Sequence, residues 1–293
     1  MTGVVRYLIV GCGYVGTRLA KSLLSRGPVV GLTGRPQSAA ALDRAGIDGF
    51  AWDLDDSTAA PPRTLSMPAV MFYLVPPQPS GTTDRRLAHF LATLATAPSR
   101  FVYLSTTGVY GDTGGEPAAE DAPLAPTNER AQRRVDAEDQ VQRWCAAHRV
   151  PWTILRVPAI YGPGRLPTER IKRGEPMIRH SEAPPSSRVH VDDLVAACQL
   201  AAIAPQAKNR IYNVTDGNST SMTEYFERVA TLVGLPPPVL VSREHAAQVL
   251  PPELWSWLRD SRRIDSQRIR DELGFSPRFT DLRLGILSSL PAP

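Results

Sequence analysis

The sequence VVRYLIVGCGYVGTRLAKSLLSRG, residues 4–27, decides how this chain folds. Its first part, Val4 to Val10, is β-branched, aliphatic or aromatic except for one arginine. This pattern predicts a central strand of a parallel sheet, and the run is too short to cross a membrane. Apolar residues then recur at helical spacing from Val15 to Leu24, and Gly27 ends the helix. The stretch is therefore a strand, a turn and a helix.

The turn between this strand and helix has the spacing G-x-G-x-x-G. Gly11 permits the tight turn, Gly13 lets a pyrophosphate approach the backbone, and Gly16 lets the helix pack closely on the strand. The free N–H groups and the dipole of the helix N-terminus favour an anion there. Because a strand precedes the motif and a helix follows it, we expect residues of this turn to bind a dinucleotide. They are Gly11, Gly13, Tyr14, Val15 and Gly16.

Length and composition describe an ordinary globular chain. Its 293 residues are 42% hydrophobic and 21% charged, enough for one large domain with a smaller appendage. The net charge of +4 comes from scattered arginines without interleaved aromatic residues, which argues against a nucleic-acid partner and favours small anionic ligands. No stretch is apolar enough to span a bilayer, so we expect no membrane partner.

Cysteine and histidine positions predict neither a disulfide framework nor a metal site. The three cysteines, Cys12, Cys145 and Cys198, are odd in number, far apart and without metal-ligand spacing, which favours a cytoplasmic protein. His190 precedes Asp192 and Asp193, but Asp192 is expected to cap the next helix, over 194–204, rather than to bind a metal.

The end of the second predicted strand bears on the choice of cofactor. That strand covers 28–33, and its last residue, Thr33, stands where a carboxylate would accept hydrogen bonds from the ribose of NAD. With Arg35 close by, we expect a 2′-phosphate and hence NADP(H) rather than NAD(H). Asp53 and Leu54 follow the third strand and are expected to border the adenine ring. The alternatives are that Arg35 is a solvated loop residue and that Asp53 only caps a turn.

Strands and helices alternate along the first half of the chain. Further strands are predicted over 69–75, 100–104 and 152–157, and helices over 37–45, 84–95 and 128–147. This order is typical of a doubly wound Rossmann sheet, an α/β fold with helices on both faces. The Pro-rich loop 76–81 follows a strand end, where it either covers the cofactor or serves as a rigid spacer.

Several motifs, in order, resemble one family over nearly the whole chain. After the glycine turn they are Ser105–Gly111 (STTGVYG), Arg156 with 160–164 (IYGPG), Val189–Leu194 (VHVDDL), Tyr212–Val214 (YNV) and Glu272–Pro277 (ELGFSP). The chain resembles the extended short-chain dehydrogenase/reductases, within them an atypical branch of the NAD-dependent epimerase/dehydratase family.

This resemblance implies roles for particular residues. Thr106 would hydrogen-bond the reacting oxygen, and Pro158 would lie near the nicotinamide. The family's tyrosine and lysine, spaced Y-x-x-x-K, would exchange a proton with substrate and hold the ribose. Those two positions are Arg130 and Arg134 here, and none of the three lysines has a tyrosine four residues before it. Arg134 can still bind the nicotinamide ribose.

The missing pair leaves the chemistry open. In one hypothesis Arg130 orients an anionic substrate while Thr106, Tyr110, Tyr161 or a water moves the proton. In the other, no hydride chemistry occurs, and the protein is a dinucleotide-binding sensor or scaffold. The alternative for both tyrosines is a packed ring, and for Arg130 and Arg133 a solvated helix face.

Two departures from the family argue against a nucleotide-sugar substrate. Ala159 stands where such enzymes often carry asparagine, and the segment between Gly164 and Arg188 is short. Five arginines in or next to that segment suggest an anionic ligand, and the alternative is that they form a solvated surface: Arg165, Arg170, Arg173, Arg179 and Arg188. We therefore predict an NADP(H)-dependent oxidoreductase or epimerase-like enzyme acting on a small carbonyl or hydroxyl compound.

The predicted organisation has two parts. Residues 1–165, joined by 188–216, form the dinucleotide-binding Rossmann domain. Residues 166–187 and 217–293 form a small, mostly helical C-terminal substrate domain. The resemblance also allows a homodimer, formed by the helices over 84–95 and 128–147.

Overall fold

A seven-stranded, entirely parallel sheet is the centre of the computed structural model, which describes residues 5–291 except for the side chain of Glu253. Its strands are β1 (Tyr7–Val10), β2 (Val29–Thr33), β3 (Asp48–Ala51), β4 (Val70–Tyr73), β5 (Arg100–Thr106), β7 (Trp152–Val157) and β11 (Arg210–Asn213). Across the sheet they follow the order β11-β7-β5-β4-β1-β2-β3. The remaining strands, all short, are β6 (Pro117–Ala118), β8 (Ala159–Tyr161), β9 (Met177–Ile178), β10 (Arg188–His190), β12 (Leu240–Val241) and β13 (Arg263–Ile264).

The part of the chain that the structure describes contains eleven α-helices. The longer ones are α1 (Tyr14–Leu23), α2 (Pro36–Arg44), α3 (Arg85–Thr93), α4 (Glu129–His148), α6 (Val191–Ile203) and α7 (Met222–Val233). The shorter ones are α5 (Thr168–Lys172), α8 (Arg243–Val249), α9 (Pro252–Leu258), α10 (Gln267–Leu273) and α11 (Leu282–Ser288). Single 3-10 turns cover Arg63–Ser66, Thr107–Tyr110 and Pro205–Ala207.

The side chains of β1 alternate between two apolar layers. Tyr7 and Ile9 join the cluster that includes residues of α1 and α6, whereas Leu8 and Val10 join the cluster that includes residues of α3 and α4. Alternation is expected because successive side chains of a strand point to opposite faces. Both faces of the sheet are therefore covered, and the predicted doubly wound Rossmann fold is confirmed.

The sheet reverses its strand order between β1 and β4. Ile9 of β1 pairs with Gly31 of β2 on one side and with Phe72 of β4 on the other. From this point the chain winds outward in both directions, so the loops after β1 and β4 diverge and leave a crevice at their carboxyl ends. That crevice is where a ligand of this fold binds.

Two local details differ from the sequence predictions. β1 begins at Tyr7, since Val5 is 46% exposed, and Val4 lies outside the described residues. The prediction that Asp192 caps the following helix is wrong, because α6 begins at Val191 and His190 is the capping residue. The backbone N–H of Asp192 donates to His190 Nδ1 at 3.2 Å.

The C-terminal segment packs in two places. Side chains of α7, α9 and α11 form an apolar cluster with Ile171, Met177 and Ile178. In contrast, Ile269 and Leu273 of α10 are buried in the main cluster beside the sheet. Within residues 5–291, no helix is long and apolar enough to cross a membrane.

Candidate functional site

A cleft of about 620 Å³ lies at the carboxyl ends of the central strands. Its floor is the glycine turn after β1, and its sides come from the ends of β2, β4, β5 and β7 and from the first turns of α4. All ten residues predicted to bind the cofactor line this cleft. They are Gly11, Gly13, Tyr14, Val15, Gly16, Arg35, Asp53, Leu54, Arg134 and Pro158.

Glycine suits each of the three positions of the turn for a different structural reason. Gly11 has a φ of +86°, and a Cβ there would lie 2.8 Å from the backbone nitrogen of Val75. A Cβ on Gly16 would lie 2.9 Å from the carbonyl oxygen of Gly11. A Cβ on Gly13 would meet no atom within 4 Å, because this residue faces the open cleft. No described side chain caps the N-terminus of α1, which also faces the cleft. The turn therefore fits a pyrophosphate.

One end of the cleft is built by the loop that joins β2 to α2. Arg35 is the N-terminal capping residue of α2 and is exposed, and the Thr33 hydroxyl donates to the Arg35 carbonyl at 3.1 Å. Ser38, in the first turn of α2, lines the cleft beside them. Ser38 is not among the residues predicted from the sequence to bind the cofactor, although its position three residues after Arg35, in the first turn of a helix, was a usable signal.

Asp53 and Leu54 form the wall next to this end. Asp53 Oδ1 accepts the backbone N–H of Asp55 at 3.0 Å, so the carboxylate also shapes its own turn. Arg86 of α3 donates to Asp55 Oδ1 at 2.6 Å and to the Pro76 carbonyl at 3.0 Å. Arg86 thereby connects the loop after β3 to the Pro-rich loop at the rim of the cleft.

The other end of the cleft brings together Thr106, Arg130, Arg134 and Pro158. Thr106 Oγ1 accepts the backbone N–H of Gly108 at 3.1 Å. Arg134 Nη1 donates to the Tyr103 hydroxyl at 2.8 Å and to the Leu104 carbonyl at 3.1 Å, which fixes the guanidinium beside the end of β5. The cleft thus places a hydroxyl and two cations opposite its Arg35 end.

Tyr110 and Tyr161 are not brought to this cleft. The Tyr110 side chain is 3% exposed, and its hydroxyl donates to Asn213 Oδ1 at 2.8 Å and accepts from Arg156 Nη1 at 2.9 Å. The Tyr161 hydroxyl is buried against Gly285 of α11. Burial raises the pKa of both phenols. Both tyrosines are packed rings in this structure, and Tyr110, proposed from the sequence as a proton donor, has no access to a ligand in the cleft.

Arg133 also departs from its sequence interpretation. Its side chain is buried, and Nη2 donates to the Pro79 carbonyl at 3.1 Å while Nη1 bonds the Gly81 carbonyl. It therefore anchors the Pro-rich loop to α4 instead of facing solvent. Pro76 is the part of that loop that lines the cleft.

Few acid or base groups line the cleft. Burial raises the pKa of the Cys12 thiol to about 12, and burial also raises the pKa of Tyr14, whose hydroxyl donates to the Pro163 carbonyl at 3.1 Å. Asp53 lies at the Arg35 end. At the Thr106 end, the charged side chains in the described lining are Arg130 and Arg134. Arginine does not titrate in the physiological range.

A second cavity of about 380 Å³ adjoins the cleft. Both spaces are lined by Ile160 and Arg165, so they meet at these two residues. One wall is apolar and comes from α7 and α9, and the segment after β8 adds arginines at the rim. The apolar wall contains Met222, Tyr225, Phe226, Leu254 and Trp257, and the rim contains Arg165, Arg170 and Arg173.

The comparisons with known proteins agree with this architecture. Residues 82–215 match the model of the NAD dependent epimerase/dehydratase family. The protein YeeZ of Escherichia coli K12 is 29% identical over 296 residues, covering 93% of this chain and 96% of YeeZ. The structure of a conserved protein of unknown function from Silicibacter pomeroyi is 28% identical, with a TM-score of 0.82 and 97% of both chains covered.

A more distant structure shares the fold. It is a short-chain dehydrogenase/reductase superfamily protein from Agrobacterium tumefaciens that was crystallised with bound NAD. Its TM-score is 0.76 at 19% sequence identity, and the superposition covers 97% of this chain and 96% of that protein. Residues 82–215 of this chain are thus similar to the NAD-dependent epimerase/dehydratase family, and the whole chain shares its fold with this short-chain dehydrogenase/reductase superfamily protein.

Proposed function

We propose that this protein binds NADP(H) and acts as an oxidoreductase or epimerase-like enzyme on a small anionic carbonyl or hydroxyl compound. The observation that carries this proposal is the cleft itself. Gly13 opens onto it at the N-terminus of α1, and Thr106, Arg130 and Arg134 converge at one end. A bound nicotinamide would supply or accept a hydride at that end.

The cofactor would lie along the cleft with its pyrophosphate on the glycine turn. Arg35 and Ser38 would bind the 2′-phosphate, since no carboxylate follows Thr33 and both side chains line that end. Asp53 and Leu54 would border the adenine, and Arg134 would donate to the nicotinamide ribose, with Pro158 beside the ring. The relative from A. tumefaciens was crystallised with NAD, so the preference for NADP(H) rests on Arg35 and Ser38.

Substrate chemistry at the opposite end would rely on hydrogen bonding and charge. The Thr106 hydroxyl would donate to the reacting oxygen, and Arg130 would stabilise negative charge developing on it. Because the charged groups here are arginines, water would exchange the proton in place of the tyrosine used by the family.

The second candidate function is a dinucleotide-binding sensor or scaffold. The observation that favours it is the same scarcity of acid and base groups at the Thr106 end. Substituting Thr106 by valine separates the two functions: an enzyme loses turnover of carbonyl substrates and keeps its NADPH affinity. Unchanged turnover would remove Thr106 from the mechanism, and no turnover by the native protein across a panel of carbonyl compounds would favour the sensor.

The organisation and setting of the protein complete the proposal. We propose the two-part division at 1–165 with 188–216, and 166–187 with 217–293, and a cytoplasmic location, in keeping with three free, buried cysteines. A homodimer would pair α3 and α4. None of the strongly exposed large apolar side chains of residues 5–291 lies on these two helices, so such an interface would be polar. Light scattering at several concentrations tests it.

Calorimetric titration with NADPH and NADH tests the cofactor assignment. We expect NADPH to bind at least about tenfold more tightly, equivalent to roughly 1.4 kcal/mol. Substituting Arg35 by alanine should weaken NADPH far more than NADH. The matched control is Arg44→Ala, at the other end of α2 and outside the cleft, which should change neither affinity. Equal losses for both nucleotides in Arg35→Ala would contradict the phosphate assignment, and no binding of either nucleotide would overturn the proposed function.

A further inference from the structure

The second cavity continues the cleft from the point where a substrate would react. In β8 and the residue before it, Pro158 lines the cleft, Ile160 lines both spaces, and Ala159 and Tyr161 line the second cavity. A substrate whose reacting group lies near Thr106 and Pro158 would therefore extend past Ile160 into this cavity. The chemistry of its walls defines what such a substrate carries.

Arg188 is a buried cation in the wall of this cavity. Arg188 is 1% exposed, and the groups that accept its hydrogen bonds are neutral. Nη2 donates to Ser186 Oγ at 3.1 Å and to the Thr220 carbonyl at 3.0 Å, and Nη1 donates to the Thr220 hydroxyl. The guanidinium carbon lies 4.9 Å from the centre of the Tyr225 ring. None of these bonds uses Nε, so N–H capacity is left for a ligand.

The charge of Arg188 is not neutralised by an ion pair within the described residues. Asp216 and Glu224 act on it electrostatically from beyond ion-pair distance, and burial lowers the pKa of the guanidinium. Burying a cation without a partner costs several kcal/mol, which an anionic ligand would offset. The position of Arg188 in a cavity wall is therefore unfavourable without such a ligand and favourable with one.

Except for Arg165, the other cations around the cavity have ion-pair partners, unlike Arg188. Lys172 pairs with Glu169 at 2.8 Å, and Glu175 pairs with both Arg170, at 3.9 Å, and Arg173. These exposed or half-exposed pairs compensate one another on the rim. Arg165, at the junction with the cleft, stacks on the Tyr14 ring and has no ion pair among the described residues.

The apolar wall of the second cavity selects an apolar group. Phe226 and Leu254 are buried there, and the indole of Trp257 is 44% exposed, next to the guanidinium of Arg170 at 5.4 Å from the ring centre. A flat apolar body would cover this exposed ring, and burying it would stabilise the complex. A hydroxyl-rich sugar would leave the same wall poorly matched.

We infer that the second cavity binds a small amphipathic anion, an acidic group on an alkyl or aryl body, with the acidic group on Arg188 and the apolar body on Trp257. This inference rests on the proposed function, because it makes the amphipathic anion the substrate class of that reaction. Carboxylates and phosphate esters share this chemistry, and the experiment below distinguishes them.

Binding of model anions tests the inference without a known substrate. The probes are benzoate and phenyl phosphate, with benzyl alcohol as the neutral analogue, and the readout is ligand-observed NMR supported by tryptophan fluorescence. We expect at least one anion to bind tenfold or more tightly than benzyl alcohol. The tighter anion identifies the acidic group as a carboxylate or a phosphate ester. Equal binding of the neutral analogue, or no binding of either anion, would overturn the inference.

Variants then locate the site. Arg188→Met should weaken the better anion at least tenfold and Arg188→Lys should restore part of the loss, whereas the control Arg179→Ala, an exposed arginine paired with Glu182, should change nothing. If Arg188→Met does not fold, Trp257→Ala decides, since this residue is exposed: a fivefold or larger loss supports the site. A folded Arg188→Met with native affinity, or an unaffected Trp257→Ala, would contradict it.

A parallel NADPH titration keeps this inference separate from the proposed function. Arg188 does not line the cleft, so Arg188→Met or Trp257→Ala should keep native NADPH affinity. NADPH binding without anion binding would overturn only the inference about the substrate. Anion binding without dinucleotide binding would overturn the proposed function while the cavity's ligand class stands.

Discussion

Arg156 of β7 and Glu138 of α4 form a buried ion pair behind the cleft. Nη2 of Arg156 lies 2.7 Å from Oε2 of Glu138, Nε lies 3.1 Å from Oε1, and each side chain is 3% exposed. Glu138 also accepts the Ser105 hydroxyl at 2.6 Å, and Arg156 donates to the Tyr110 hydroxyl. The pair thereby joins α4, which carries Arg130 and Arg134, to the two strands at the Thr106 end.

Removing Arg156 should strongly destabilise the protein. In Arg156→Met the Glu138 carboxylate would remain buried without its partner, which costs about 3 to 5 kcal/mol. Urea unfolding followed by circular dichroism measures the loss. Arg143→Met is the control, because its ion pair with Asp139 is about two-thirds exposed and should contribute less than about 1 kcal/mol. An Arg156→Met variant as stable as this control would show that the pair does not hold α4 in place.

Two alanine substitutions in the glycine turn should separate binding from folding. Gly13→Ala adds a methyl group to open space at a φ of −94°, so stability should change by less than about 1 kcal/mol while NADPH affinity falls at least about tenfold. Gly16→Ala drives a methyl group against the Gly11 carbonyl and should cost about 1 to 3 kcal/mol. Thermal unfolding and calorimetry on both variants check this. Full NADPH affinity in Gly13→Ala would place the pyrophosphate elsewhere.

Arg165 and Arg18 form a matched pair around Tyr14. Their guanidinium carbons lie 4.2 Å and 4.0 Å from the centre of the Tyr14 ring, but of the two only Arg165 lines the cleft. Arg165→Ala should therefore weaken NADPH about three- to tenfold and reduce the salt dependence of binding, because a cation near the phosphates is lost. Arg18→Ala should change affinity less than about twofold. Equal effects would mean that both arginines act only by packing on Tyr14.

Asp216 should make stability depend on pH. Burial raises the pKa of its carboxyl group from 3.8 to about 6, with Asp193 adding to the shift and Arg188 and Arg270 opposing it. The folded state holds this proton more tightly than the unfolded state. The protonated Asp216 carboxyl group therefore contributes fully to the free energy of unfolding below about pH 4, and this contribution is lost as pH rises through about 6. The loss amounts to about 2 to 3 kcal/mol.

The variant Asp216→Asn isolates this effect. Its free energy of unfolding should exceed that of the native protein by an amount that grows between about pH 4 and pH 7. Urea unfolding at several pH values measures the difference, and Asp139→Asn, exposed on α4, should show no such trend. A difference that does not vary with pH would mean that Asp216 titrates normally in the folded protein.

The amino-acid sequence alone was sufficient to predict the fold and the residues that line the cleft at the glycine turn and at Arg35. The apolar run before Gly11, the glycine spacing and the helical repeat after it depend on backbone conformation and on neighbours within a few residues. Such information is local, so Gly11, Gly13 and Gly16 could be assigned before any contact was known. Arg35 could be placed in the same way, because it follows directly on a strand end.

Which side chains face the cleft depends on tertiary contacts that the sequence pattern does not show. Tyr110 lies four residues after Thr106, the last residue of β5, but packing turns its ring towards Arg156 and Asn213 instead of the cleft. Arg133 and Arg134 are adjacent in sequence, yet one anchors a distant loop and the other lines the cleft. Arg188 acquires its place in a cavity wall through β8 and α7. These outcomes depend on partners 29 to 103 residues away, and the direction of a side chain follows from which distant segments pack against it.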